Sequence, residues 1–245
     1  AYGSTLMPYT PQEAAEEALR WKEQGFSAVK MGWGGFELPQ SECVKLVEAT
    51  RNAIGDDMDM MLDIGFIPSG DFNVTAASRL LLINEIREFK PYWIEEAVYP
   101  DDYEGYKMLV ESTDVRIAGG ENETTRYGFK QLIEVCKLDI LQPDITRCGG
   151  LTEAKRIGAM ATAHNTTVIP HAWSSGIVIA ASLHFIATQS NSNLLEYCVW
   201  DTPIRKEMLK QDFKLRDGYV DVPMGPGLGI EIDDEAIQKY RCDII

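Results

Sequence analysis

The sequence predicts a closed α/β barrel of parallel strands. Short apolar or β-branched runs alternate with amphipathic stretches from end to end. The strand candidates are almost continuously apolar, as strands covered by helices are. The length, 245 residues, suits one such barrel or two smaller domains. A doubly wound open sheet would alternate in the same way, but the chain has neither a GxGxxG fingerprint nor a Walker A loop to support it.

The elements follow in order. A strand is expected at 1–5, then a helix at 11–24, where Pro11 suits the first turn and Ala14, Ala18 and Trp21 recur at helical spacing. Gly25 can close that helix. Further strands are expected at 27–31, 60–64, 92–96, 116–119, 139–142, 167–170 and 194–199. The helices between them fall at 41–54, 74–89, 125–137, 152–164 and 174–189, with start signals at Asn73 and Thr124. Residues 1–211 are assigned to the catalytic barrel. Residues 212–245, rich in Gly and Pro and ending in a short helix at 233–240, are read as a C-terminal extension packed outside it.

Composition narrows the function. A formal net charge of −15 repels nucleic-acid phosphates and anionic membranes alike, so neither is an expected partner. The apolar run 177–187 is broken by Ser182 and His184 and is shorter than the ~18 residues of a membrane span, so it reads as a buried helix. No secretory signal is visible. Five scattered cysteines without a CxxC pair argue against a disulfide framework or a zinc site and for a reducing, cytoplasmic setting. The chain begins at Ala1, and is expected to be a fragment or a processed product.

The chemistry is expected at the C-terminal ends of the strands. Read in order, those ends carry Lys30, Asp63, Glu95, Glu121, Asp144, His171 and Glu196. From Asp63 onward the spacings are 32, 26, 23, 27 and 25 residues, about one βα unit each. One carboxylate past a strand is ordinarily a helix cap or a solvated charge, and the whole series could be a structural ion-pair network. Seven in succession behind apolar strands point instead to a site. Asp63, Glu95 and Glu121 could converge as three hard oxygen ligands for Mg²⁺. Asp144 could fix the tautomer of His171 and support the cation formed when it takes a proton. Lys30 could face a substrate carboxylate or a developing enolate.

The other candidates have simpler readings. His164 ends a helix as a cap, and His184 lies inside an apolar helix as a satisfied core residue. Met58, Met60 and Met61 are core packing. The pairs Asp56-Asp57, Asp101-Asp102 and Asp233-Asp234 are solvated loop charge.

At these residues the chain resembles the enolase superfamily, in its mandelate racemase-like branch. The matching strings are Trp93-Ile-Glu-Glu-Ala97, Gly119-Gly-Glu-Asn122, Leu141-Gln-Pro-Asp144 with Cys148-Gly-Gly150, and Ile169-Pro-His171. Two further stretches, 100–106 and 120–129, are similar to the rhamnonate dehydratase group. The resemblance implies a TIM-like (β/α)7β barrel, with Mg²⁺ held by Asp63, Glu95 and Glu121. It also implies an Asp144–His171 acid/base dyad, Glu196 near the bound carboxylate and Asn122 as a further substrate contact. The implied reaction is Mg²⁺-dependent dehydration of an acid sugar. A proton α to a carboxylate is removed, and loss of a β-hydroxyl from the enediolate gives a 2-keto-3-deoxy acid. Homo-oligomers are expected by analogy.

The chain departs from the pattern in three places. Where many members carry Lys-x-Lys, it reads Lys30-Met31-Gly32, so a second base is missing and elimination is favoured over racemisation. Gly65 stands where an Asn is usual. The α+β capping domain of the family is expected to be absent from this chain. A racemase, epimerase or cycloisomerase on the same enediolate chemistry, and an inactive barrel fragment, are the rival readings.

Overall fold

A computed structural model describes residues 1–65 and 74–242. Strands and helices alternate as β1 (Tyr2–Leu6), α1 (Pro11–Glu23), β2 (Ala28–Gly32), α2 (Gln40–Ile54), β3 (Asp59–Asp63), α3 (Ala76–Ile86), β4 (Trp93–Glu95) and α4 (Tyr103–Ser112). They continue as β5 (Ile117–Gly119), α5 (Thr125–Gln131), β6 (Ile140–Leu141), α6 (Gly150–Ala163), β7 (Thr167–Val168), α7 (Gly176–Ile186) and β8 (Glu196–Cys198). This is the (β/α)7β order. All eight strands pair in parallel, in the spatial order β7-β6-β5-β4-β3-β2-β1-β8.

Closure of this curled sheet differs from a continuous ladder. No strand pairing joins β7 to β8 among the described residues. Across that seam the Val168 amide donates to the Asn191 carbonyl at 2.9 Å, and the Ala172 amide donates to Glu196 Oε2 at 2.6 Å. A side chain of the site thus helps to shut the barrel.

Local signals explain the helices. Thr10 caps α1 by accepting from the Glu13 amide, Pro11 opens the first turn, and Ala14, Ala18 and Trp21 form the buried face. Gly25 follows at φ +92°, where a side chain would be strained. Helix α3 starts from a Thr75–Ser78 capping box; the expected signal at Asn73 lies outside the described residues. Thr124 precedes α5 without a side-chain cap, and that helix continues as a π-helical turn over Leu132–Cys136. Helix α4 was not anticipated. Asp102, read from sequence as solvated charge, is its cap and accepts from the Gly105 amide at 2.9 Å.

Two apolar regions hold the fold. One lies between strands and helices. The other plugs the barrel axis with Tyr2, Ala28, Met61, Trp93, Ala118, Ile140 and Ile169, and Tyr2 meets Trp93 edge to face at 5.5 Å. The methionines read as core are buried. At the N-terminal ends of the strands, Arg51 donates to the carbonyls of Gly55, Met58, Phe89 and Lys90.

Beyond β8 come α8 (Pro203–Lys206), the antiparallel pair β9 (Leu215–Arg216) and β10 (Tyr219–Val220), and α9 (Asp234–Lys239). His184 is half-buried, with Nε2 3.2 Å from the Leu228 carbonyl, and His164 is the C-cap of α6. Four cysteines are buried and Cys242 is exposed; all are free thiols. Among the described residues no helix is long and apolar enough to cross a membrane.

Candidate active site

The inward faces of the strands change character at one level. Side chains two apart on a strand share a face. Lys30 therefore follows Ala28, Asp63 follows Met61, Glu95 follows Trp93 and His171 follows Ile169, each one step above the plug. Parallel register sets Gly32 beside Asp63 and Asp63 beside Glu95.

Asp63, Glu95 and Glu121 are buried, and each offers a carboxylate oxygen within 4.8 Å of the others. Asp63 accepts from the Gly65 amide at 3.0 Å and from the Trp33 indole at 3.1 Å. Glu95 accepts from the Trp93 indole at 3.0 Å and from Lys30. Burial and the Glu95 and Glu121 charges push the Asp63 carboxyl well above the usual carboxylate range, against the pull of Lys30. Mutually repelling, buried hard-oxygen donors without nitrogen or sulfur in the set fit Mg²⁺. Behind them Glu96, at φ +48°, accepts from the Gly120 amide at 2.7 Å. Burial, helped by the Glu121 charge, raises its carboxyl to about 7.

Lys30 is buried between Glu95 and Glu196, with Nζ 2.8 Å from Glu196 Oε1. Burial opposes its charge, but Glu196 and Glu95 outweigh burial and hold the ammonium well above the usual lysine range. Glu196 also accepts from the Ser4 hydroxyl at 2.8 Å and from the Ala172 amide. Burial works against its ionised form too, yet Lys30 and His171 keep it below the usual range.

His171 Nδ1 lies 2.8 Å from Asp144 Oδ2. Asp144 Oδ1 in turn accepts from the Thr146 amide and hydroxyl at 2.7 and 2.5 Å. Burial raises the Asp144 carboxyl, but the His171 and Thr146 hydrogen bonds outweigh it and leave the group below its ordinary value. His171 Nε2 is 3.2 Å from Glu121 Oε2. Burial disfavours the imidazolium; Glu196, Glu121 and Asp144 overcome both burial and Lys30 and raise it to about 9.

The structure gathers Lys30, Asp63, Glu121, His171 and Glu196 around one cavity of about 140 Å³. Glu95 and Asp144 stand just behind its wall, bonded to Lys30 and His171. Asn122 differs from the rest. It is exposed and outside the lining, with Nδ2 3.4 Å from Glu121 Oε1 and Oδ1 3.3 Å from Arg147 Nη1. Sequence reasoning missed Arg147, Trp33 and Trp173, which do line the cavity. Their signal was available: each lies within three residues of a strand-end position already singled out.

Two glycines fit tightly. A Cβ at Gly32 would lie 2.6 Å from Asp63 Cβ, and one at Gly65 would lie 2.7 Å from Asp63 Oδ1.

This set of strand-end residues coincides with a family-wide match: the enolase C-terminal domain-like profile covers residues 13–236. The chain belongs to that family. Within the family it is 32% identical to the D-galactarolactone cycloisomerase of Agrobacterium fabrum, over 93% of this chain and 60% of that protein. It is 30% identical to the D-xylonate dehydratase of Haloferax volcanii, over 95% of this chain and 58% of that protein. The crystal structure of the 3,6-anhydro-D-galactonate cycloisomerase from Zobellia galactanivorans superposes with a TM-score of 0.86 at 36% identity, covering 98% of this chain and 65% of that one. The chain thus spans about three-fifths of the length of these curated relatives.

Proposed function

We propose that this chain carries the barrel of a Mg²⁺-dependent acid-sugar dehydratase, a carbon–oxygen hydro-lyase acting through an enediolate. One observation carries the reading: a buried carboxylate triad, a buried ammonium and a carboxylate-oriented imidazole meet at one cavity. The names of its relatives, acid-sugar dehydratases and a cycloisomerase, support the substrate class.

Asp63, Glu95 and Glu121 would hold the ion. Bound there, Mg²⁺ supplies Lewis-acid stabilisation of negative charge on a substrate carboxylate. Lys30 adds a fixed positive charge, held by Glu95 and Glu196, where the α-carbanion's charge spreads onto oxygen. With the ring neutral, Asp144 accepting from His171 Nδ1–H presents Nε2 to take the α-proton. The resulting imidazolium, stabilised by Asp144, then protonates the departing β-hydroxyl. Arg147, whose guanidinium reaches the cavity, would pair with a substrate anion.

Racemisation needs a second base, and the packing disfavours one. Gly32 has no room for a side chain, and Lys30 is locked as a doubly paired ammonium.

The test offers hexonic, pentonic, 6-deoxy and aldaric acids with Mg²⁺ in D₂O, read by mass spectrometry. Water loss that vanishes in His171→Asn is expected; α-deuterium uptake without water loss would favour the racemase or epimerase reading instead. No conversion and no exchange on any acid would sink the proposal. In parallel, Mg²⁺ should raise Tm, and Glu95→Gln should abolish that rise.

A further inference from the structure

The three carboxylates of the triad are held in different ways. Glu95 is clamped by two buried donors, the Lys30 ammonium and the Trp93 indole. Glu121 has His171 Nε2 at 3.2 Å from Oε2. Among the described residues the Asp63 carboxylate accepts two hydrogen bonds, Oδ1 from the Gly65 amide and Oδ2 from the Trp33 indole at 3.1 Å. Trp33 is thus the one side chain hydrogen-bonded to Asp63. It lines the cavity and is 37% exposed.

The backbone shows what it costs to present an indole there. Trp33 sits at φ 53° and ψ −143°, a region that a residue other than glycine holds only when its surroundings enforce it. On one side the Trp33 amide donates to the Asp63 carbonyl at 3.0 Å, so backbone and side chain grip the same residue. On the other side Gly34 and Gly35 run so close to the segment after β1 that a Cβ on either would strike the carbonyl of Met7 or Pro8. The Gly35 amide also donates to the Met7 carbonyl at 2.8 Å. The chain is anchored before and after Trp33, and the residue between takes the strain.

That strain has a use. Three buried carboxylates within 4.8 Å repel one another, and turning Asp63 toward the cavity would relieve the repulsion while dispersing the site. The indole N–H opposes that turn. It is a neutral donor, so it orients the oxygen without cancelling the charge that a cation needs.

We propose that Trp33 is the positioning residue of Asp63, holding its carboxylate beside Glu95 and Glu121 so that a divalent cation meets a site already formed. This rests on the Mg²⁺ reading of the triad.

The experiment titrates metal-free wild type and Trp33→Phe with Mg²⁺ by calorimetry and follows the indole N–H resonances of ¹⁵N-labelled protein. Phenylalanine keeps a ring at the mouth and loses the N–H. Expected is a Kd about tenfold weaker in Trp33→Phe, with metal-free Tm little changed. One indole resonance, absent from Trp33→Phe, should move as wild type takes up Mg²⁺. Trp200→Phe, which alters an exposed tryptophan with no bond to the triad, should bind as wild type does. Should Trp33→Phe fail to fold, Trp33→Gly suits the backbone angles and carries the same expectation. An unchanged Kd in the Trp33 variant would overturn the positioning role and leave the ion site standing. So would a Trp33 resonance indifferent to Mg²⁺, or an equal weakening in Trp200→Phe. No Mg²⁺ binding by wild type would overturn the ion site and this role together.

Discussion

The plug and the charged layer above it occupy the same barrel, lie one side chain apart on the same strands and are equally buried, yet they do opposite work. In the plug, Tyr2, Met61, Trp93 and Ile169 interlock without charge. Above it, Lys30 pairs with Glu95 and Glu196, and Asp63 and Glu121 gather beside Glu95, so buried carboxylates outnumber the one buried ammonium. The lower layer stabilises the fold and the upper layer draws on that stability. A metal site has to be built where the apo-protein is under electrostatic stress, because that stress is what the cation relieves.

Substitutions in the two layers should separate these roles. The largest effect belongs to the upper layer: His171→Asn should slow α-proton exchange by about 10²–10⁴-fold while the Mg²⁺-induced rise in Tm persists. Unaltered exchange would remove His171 from the chemistry. In the plug, Met61→Ala should cost about 2–5 kcal/mol in urea unfolding, and the Mg²⁺ affinity of the folded fraction should stay unchanged. A change in that affinity would mean the layers are coupled.

A smaller effect of opposite sign is expected for Asp63→Asn. Burial raises the folded-state pKa of Asp63, and that of Glu96 to about 7. Between their unfolded and folded values the metal-free fold keeps protons that the unfolded chain has released. Their contribution is whole below the ordinary carboxylate range and is lost as pH rises through those raised values. Metal-free Tm should therefore fall as pH rises from the ordinary carboxylate range toward about 7, where Glu96 titrates, and Asp63→Asn should flatten the fall. Identical pH profiles would show that the layer is not under stress. Smallest of all, Lys239→Ala breaks an exposed pair with Glu207 far from both layers and should leave Tm and the Mg²⁺ response unaltered.

Much of this arrangement was legible in the sequence because one periodicity carries it. The βα repeat singled out Asp63, Glu95, Glu121, Asp144 and His171 at successive strand ends; in the structure, the period of two within β3 and β4 aims Asp63 and Glu95 inward. Other features depend on contacts between distant segments. Helix α4 was missed because its cap, Asp102, sits in an acidic pair that looks like surface charge. Trp33 stands three residues after Lys30, but its positive φ has no sequence signature; contacts with Asp63 and Met7, distant in sequence, impose it. The seam between β7 and β8 was invisible for the same reason, since the side chain of Glu196 helps to bridge it.

Gly32 carries a consequence for how such a barrel can change its chemistry. With a Cβ there set 2.6 Å from Asp63 Cβ, a lysine written into position 32 would push on Asp63, one of the three carboxylates proposed to hold the ion. Under the proposed dehydratase reading, packing at this position therefore guards the stereochemical course. Under that reading, moving from one-faced elimination to two-faced racemisation takes two changes together: a base at position 32 and a shift of strand β3 that makes room for it.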